Sequence, residues 1–171
     1  LVSEQSRRIA DPDLRTALAE ASLKLGSVTE TILDMQKAGE FDAAERLLEA
    51  EHSWYFLYFH GAEAFDAVLA GFPDEASRQS DIVALCRALQ ALKHGEVSLA
   101  RRLLTDRFGS ETIDPARVLG DRKRYSVEFR SFRLVMLIYE DIPLTDELLH
   151  LAFAILVDLP IEAHLLRGSV Y

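Results

Sequence analysis

The chain is 171 residues long, with 19 Lys and Arg against 28 Asp and Glu, a formal net charge of −9 and a single Cys. A chain that is 49% apolar is too hydrophobic for intrinsic disorder, and one Cys builds no disulfide framework. The length fits one soluble globular domain, residues 1–171, and the acidity argues against nucleic-acid binding through bulk charge.

In chain order the punctuation is helical. Asp11-Pro12 reads as a cap followed by Pro at the first helical position, with Gly26 as the matching stop. Ser27-Val-Thr-Glu30 is a capping box opening a helix that runs to Gly39. Phe41, Ala44, Leu47 and Leu48 then recur at 3-and-4 spacing on one helical face. Ser53 is expected to cap a short aromatic helix, Trp54–Phe59, ended by His60-Gly61. A helix from Ala62 to Gly71 follows, before Phe72-Pro73.

Ser80 or Asp81 opens a long helix reaching Gly95, and Cys86 within it reads as a small buried hydrophobe. A further helix spans Val97–Phe108, residues 109–114 read as a loop, and Asp114-Pro115 restarts helix for one turn. The stretch Tyr125–Glu140 is helical and apolar nearly all round toward its end, which predicts a helix sandwiched between neighbours. Pro143 stops it, Thr145 caps a helix to Asp158, and Pro160 stops that one. The run Leu151–Val157 is too short to span a membrane and is expected to be a buried core helix. Strand signals are nearly absent, and Asn-Gly or Asp-Gly hairpin turns do not occur. The expectation is an all-α fold of about nine or ten helices, antiparallel because their connections are short.

Self-similarity narrows the fold. Residues 37–48 match residues 93–104 at seven of twelve positions, including Gly39/Gly95, Ala44/Ala100, Leu47/Leu103 and Leu48/Leu104. The Gly would leave one helix in a left-handed turn, and the Ala would let two helices approach closely. The Leu pair would bury against the next unit. This is the helix-A/helix-B turn of a tetratricopeptide-like repeat, so the helices are expected to stack as an α-α superhelix, or solenoid. The offset of 56 residues exceeds one such period, so residues 54–71 should form an intervening degenerate pair. The absence of an initial Met, together with the apolar close Leu165–Tyr171, suggests a piece of a longer multidomain chain.

The ordered set Gly39–Ala50, Trp54, Gly61, Leu69–Glu75, Val83–Leu92 and Lys93–Leu104 resembles the helical middle region of large MalT-like LuxR-family transcriptional regulators. Tyr139–Thr145 and Leu165–Tyr171 extend the likeness, which covers roughly residues 27–171. The resemblance implies a signal-responsive region lying between an ATP-binding module and a helix-turn-helix domain. ATP and DNA would be bound by those modules. This chain holds no phosphate loop and no long basic helix, and no cofactor is expected in it. The expected function is non-catalytic binding of a small-molecule effector or a protein partner in the cytoplasm, away from any membrane. The alternative is a stand-alone tetratricopeptide-like scaffold for a protein or peptide.

Candidate site residues are few. Trp54, Tyr55, Tyr58 and Phe59 spread round more than one helical face; core packing is the first reading and a ligand or partner surface the second. Arg122, Lys123, Arg124, Arg130 and Arg133 form a basic cluster. It reads first as a solvated face paired to carboxylates, and second as a contact for an anionic effector or another module. Glu140-Asp141 reads as a solvated, helix-ending pair, and the five His show no metal spacing.

Overall fold

A computed structural model describes residues 28–158. All regular structure among them is helical, in ten α-helices and two short 3-10 turns. The chain divides after Asp74 into two compact units. Asp11-Pro12, Gly26, Ser27 and the tail 159–171 lie outside the described residues.

In the first unit, helix α1 is described over 28–37 and α2 spans Phe41–Ala50. A 3-10 turn, Ser53–Tyr55, leads into α3, Phe56–His60, and then α4, Ala62–Ala70. Ile32, Ala44, Leu48, Trp54, Phe56, Phe65, Val68 and Leu69 form its buried apolar interior. Gln36 on α1 donates from Nε2 to the Val68 carbonyl on α4 at 2.8 Å, tying the two helices together inside this core. A Cβ at Gly71 would fall 1.9 Å from Gln36 Oε1, so that Gly leaves the room the bond needs.

The second unit begins with a four-residue helix, α5, Ala76–Gln79, too short to show a period in sequence. Helices α6 (Asp81–Lys93) and α7 (Val97–Phe108) then form a hairpin. A second 3-10 turn, Ser110–Ile113, precedes α8 (Pro115–Gly120), α9 (Val127–Tyr139) and α10 (Asp146–Asp158). Helix α6 is buried almost all round, Cys86 included, because α5, α7 and α9 all pack on it. Side-chain caps start four of these helices. Val83 N–H donates to Ser80 Oγ, Arg117 N–H to Asp114 Oδ1, Phe129 N–H to Ser126 Oγ and Leu148 N–H to Thr145 Oγ1. Ser126 therefore starts α9 two residues later than the expected Tyr125.

Two expectations change here. The loop 109–114 contains the 3-10 turn, closed by Thr112 Oγ1 donating to the Gly109 carbonyl at 2.8 Å. The apolar run in α10 is not a wholly buried helix. Leu148 and Ile155 enter a cluster with Leu119 of α8 and Leu137 of α9, while Phe153 and Val157 stay 66% and 82% exposed. Within the described residues α10 packs on α8 and α9, which take one face and leave the stripe Leu149, Phe153, Val157 outward.

The repeated segment has the same geometry in both copies. Gly39 and Gly95 both sit at φ +78°. Gly39 N–H donates to the Gln36 carbonyl and Glu40 N–H to that of Met35, at 3.0 and 2.9 Å. The equivalent bonds from Gly95 to Leu92 and from Glu96 to Ala91 measure 3.0 and 2.8 Å. This is the paired bonding that closes a helix on a left-handed residue. Burial repeats too: Ala44 and Ala100 are fully buried, Leu48 and Leu104 are buried, and Leu47 and Leu103 are half-buried. An added Cβ would meet nothing within 4 Å at either Gly. Replacing Gly39 or Gly95 with Ala is therefore expected to cost only the left-handed backbone penalty, about 1–2 kcal/mol each. Replacement with Asn should cost less, and urea midpoints would check both.

Candidate functional site

The aromatic run is set by a backbone feature that sequence alone did not show. Helix α2 ends at Ala50, and His52 and Ser53 follow with φ of +67° and +58°. Two successive non-Gly residues in this region are strained, by about 1 kcal/mol or more each. Ser53 is thus not the cap of an aromatic helix. It is a buried, left-handed residue at the start of the 3-10 turn, and α3 begins only at Phe56. The turn drives Trp54 inward, where it is 2% exposed, with Phe56 and Leu57 beside it in the core.

The remaining rings face outward at helical spacing. Tyr58 and Phe59 are 44% and 37% exposed, Tyr55 is half-buried and His52 is exposed. Ring contacts tie Tyr55 and Tyr58 to the buried layer. Trp54 stacks on Tyr55 at 3.8 Å and meets Tyr58 edge-on at 6.3 Å. Tyr55 and Tyr58 lie 6.5 Å apart, and His52 meets Phe59 at 5.9 Å. Beneath them His60 stacks on Phe56 at 3.8 Å and places Nε2 3.2 Å from Glu51 Oε2. The expected mixture of core and surface is therefore resolved residue by residue: Trp54 is core, and Tyr55, Tyr58 and Phe59 make the surface.

Charge is divided unevenly between the units. Residues 28–74 carry ten Asp and Glu against only Lys37 and Arg46, a net of −8. Residues 75–158 carry thirteen against twelve, a net of −1. The aromatic turn therefore lies on the part of the chain that holds nearly all the excess negative charge. That asymmetry is legible in sequence once the boundary at Asp74 is known.

The basic cluster does not form one solvated face. Arg124 is on the surface in a fork with Glu111, Nη1 to Oε1 at 3.1 Å and Nη2 to Oε2 at 2.9 Å. The hydrogen bond from Arg124 holds the Glu111 carboxyl below its ordinary range, and Glu111 raises the Arg124 guanidinium in turn. Arg122 and Lys123 are exposed, whereas Arg130 and Arg133 are buried.

Arg133 is spent on structure. Its Nε and Nη2 donate to the Thr112 and Ile113 carbonyls, both at 3.1 Å, and Nη1 donates to Glu140 Oε2 at 2.7 Å. Arg101 on α7 donates from Nε to the other carboxylate oxygen at 2.6 Å. Glu140, read from sequence as solvated, has a side chain only 2% exposed, because these two guanidinium groups enclose it. Only Asp141 remains outside, in the left-handed region at φ +54°. Burial pushes the Arg133 guanidinium down from its ordinary value, and the neighbouring Glu140 carboxylate partly offsets this.

Among the described residues, no group of three or more His, Cys, Asp or Glu side chains could hold a metal ion. No helix among them is long and apolar enough to cross a membrane. Comparison of the chain with protein-family profiles, with curated proteins and with solved structures finds no match.

Proposed function

We propose that the chain is a non-catalytic, tetratricopeptide-like binding region of a MalT-like LuxR-family regulator. In that role it receives a small-molecule effector or a protein partner and passes the signal to ATP-binding and DNA-binding modules outside residues 1–171. The observation that carries the helical-repeat part is the pair of turns at Gly39 and Gly95. They share φ, hydrogen bonds and the burial of the following Ala and Leu. The regulator part rests on the ordered sequence likeness over residues 27–171. Occupation of a surface on such a region would act by favouring one packing of neighbouring modules over another, and the coupling is limited by the difference in affinity for the two. The setting of this role is the cytoplasm.

The test is the encoding gene on either side of this segment. A Gly-x-x-x-x-Gly-Lys-Ser/Thr loop upstream and a helix-turn-helix downstream are expected. Their absence would overturn the regulator and leave a stand-alone scaffold for a protein or peptide.

A further inference from the structure

We propose that the aromatic turn of the first unit, His52, Tyr55, Tyr58 and Phe59, docks an arginine- and lysine-rich segment of a partner protein. This rests on the binding reading above and names the chemistry of the partner. Three observations converge on it. The two left-handed residues, His52 and Ser53, hold a strained backbone in place where the rings turn outward, and strain of this kind is retained where a particular display of side chains is needed. Two of the displayed rings are fixed from below, since Trp54 stacks on Tyr55 and meets the edge of Tyr58. An aromatic surface that is already ordered loses little rotamer freedom when something lands on it.

Charge then selects the occupant. Residues 28–74 carry a net −8, and Glu49, Glu51 and Glu63 bracket the turn within four residues of His52 or Phe59. Nucleic acid and anionic lipid would be repelled, and an acidic peptide likewise. A guanidinium group can lie flat on a Tyr or Phe face while its charge is met by carboxylates nearby, and an ammonium can do the same less well. The attraction brings the segment in, and the rings give it a place to stay.

The chain supplies its own reporter, because Trp54 is the single Trp and touches two of the rings involved. Titrating the 171-residue protein with a capped tetra-arginine peptide at low salt should change Trp54 fluorescence saturably. Spermine, which has the same charge but no planar group, should bind more weakly. Tyr58→Ala and Phe59→Ala should each weaken the peptide about tenfold, as for aromatic anchors elsewhere. The double variant Glu49→Gln, Glu63→Gln should weaken it and flatten the salt dependence. Both substituted sets are exposed, so the fold should survive.

Equal binding of spermine, unchanged affinity in both ring variants, or no saturable binding would each overturn the proposal. Failure of this titration with both flanking modules found would leave the regulator reading intact and move its site elsewhere. Successful titration with neither module found would keep the docking site and overturn the regulator.

Discussion

Arg133→Ala should lower the stability of the second unit by about 3–5 kcal/mol. Its guanidinium serves three acceptors at once: the Thr112 carbonyl, the Ile113 carbonyl and Glu140 Oε2. Truncation leaves both carbonyls short of a donor and strips Glu140 of its buried partner. Glu140→Gln should cost about 3 kcal/mol by the mirror argument, since it leaves Arg133 charged in the interior. Arg133→Lys is the informative control. A single ammonium cannot reach three acceptors spread along a planar fork, so this substitution should recover little of the loss. Arg101→Ala, by contrast, removes a half-exposed cation that meets Glu140 from the solvent side, and about 1 kcal/mol or less is expected. Chemical denaturation followed by circular dichroism would rank the four variants. If Arg133→Lys behaved as wild type, charge alone would be sufficient and the fork geometry would be irrelevant.

Local features of this fold were readable and distant ones were not, for a simple reason of range. The Gly39 and Gly95 turns close through hydrogen bonds that reach at most five residues back, so the sequence pattern and the geometry are nearly the same information. The caps at Ser80, Asp114 and Thr145 are equally local, and the residue types at those positions announce them in sequence. Arg133 and Glu140 stand seven residues apart, two turns along one helical face, which was a usable sign that they belong together. Nothing in sequence placed Arg101 with them, 39 residues away, or set the 3-10 turn at 110–113 beneath the fork. The helix at Leu151–Val157 misled for a related reason. Its composition says buried, but exposure depends on how many neighbours arrive, and within the described residues α8 and α9 cover one side.

The aromatic turn makes the same distinction into an experiment. Trp54→Ala should destabilise the first unit by about 3–5 kcal/mol, the range for emptying a large aromatic site in a core. The indole is 2% exposed and stacks at 3.8 Å on Tyr55, so its removal opens a cavity directly after the strained His52–Ser53 backbone in the chain. Tyr58→Ala removes a ring of the same run that is 44% exposed, and about 1 kcal/mol or less is expected from lost edge contacts. The two losses are then separable. Trp54→Ala should lower the melting temperature by roughly 10 °C or more for a unit of this size, whereas Tyr58→Ala should leave it nearly unchanged and act on binding of the basic peptide instead. Equal destabilisation by the two would mean that the outer rings are part of the core packing, and the turn would lose its claim to be a docking surface. A silent Trp54→Ala would mean that the left-handed turn is maintained without the indole, and the link from buried anchor to displayed rings would fail.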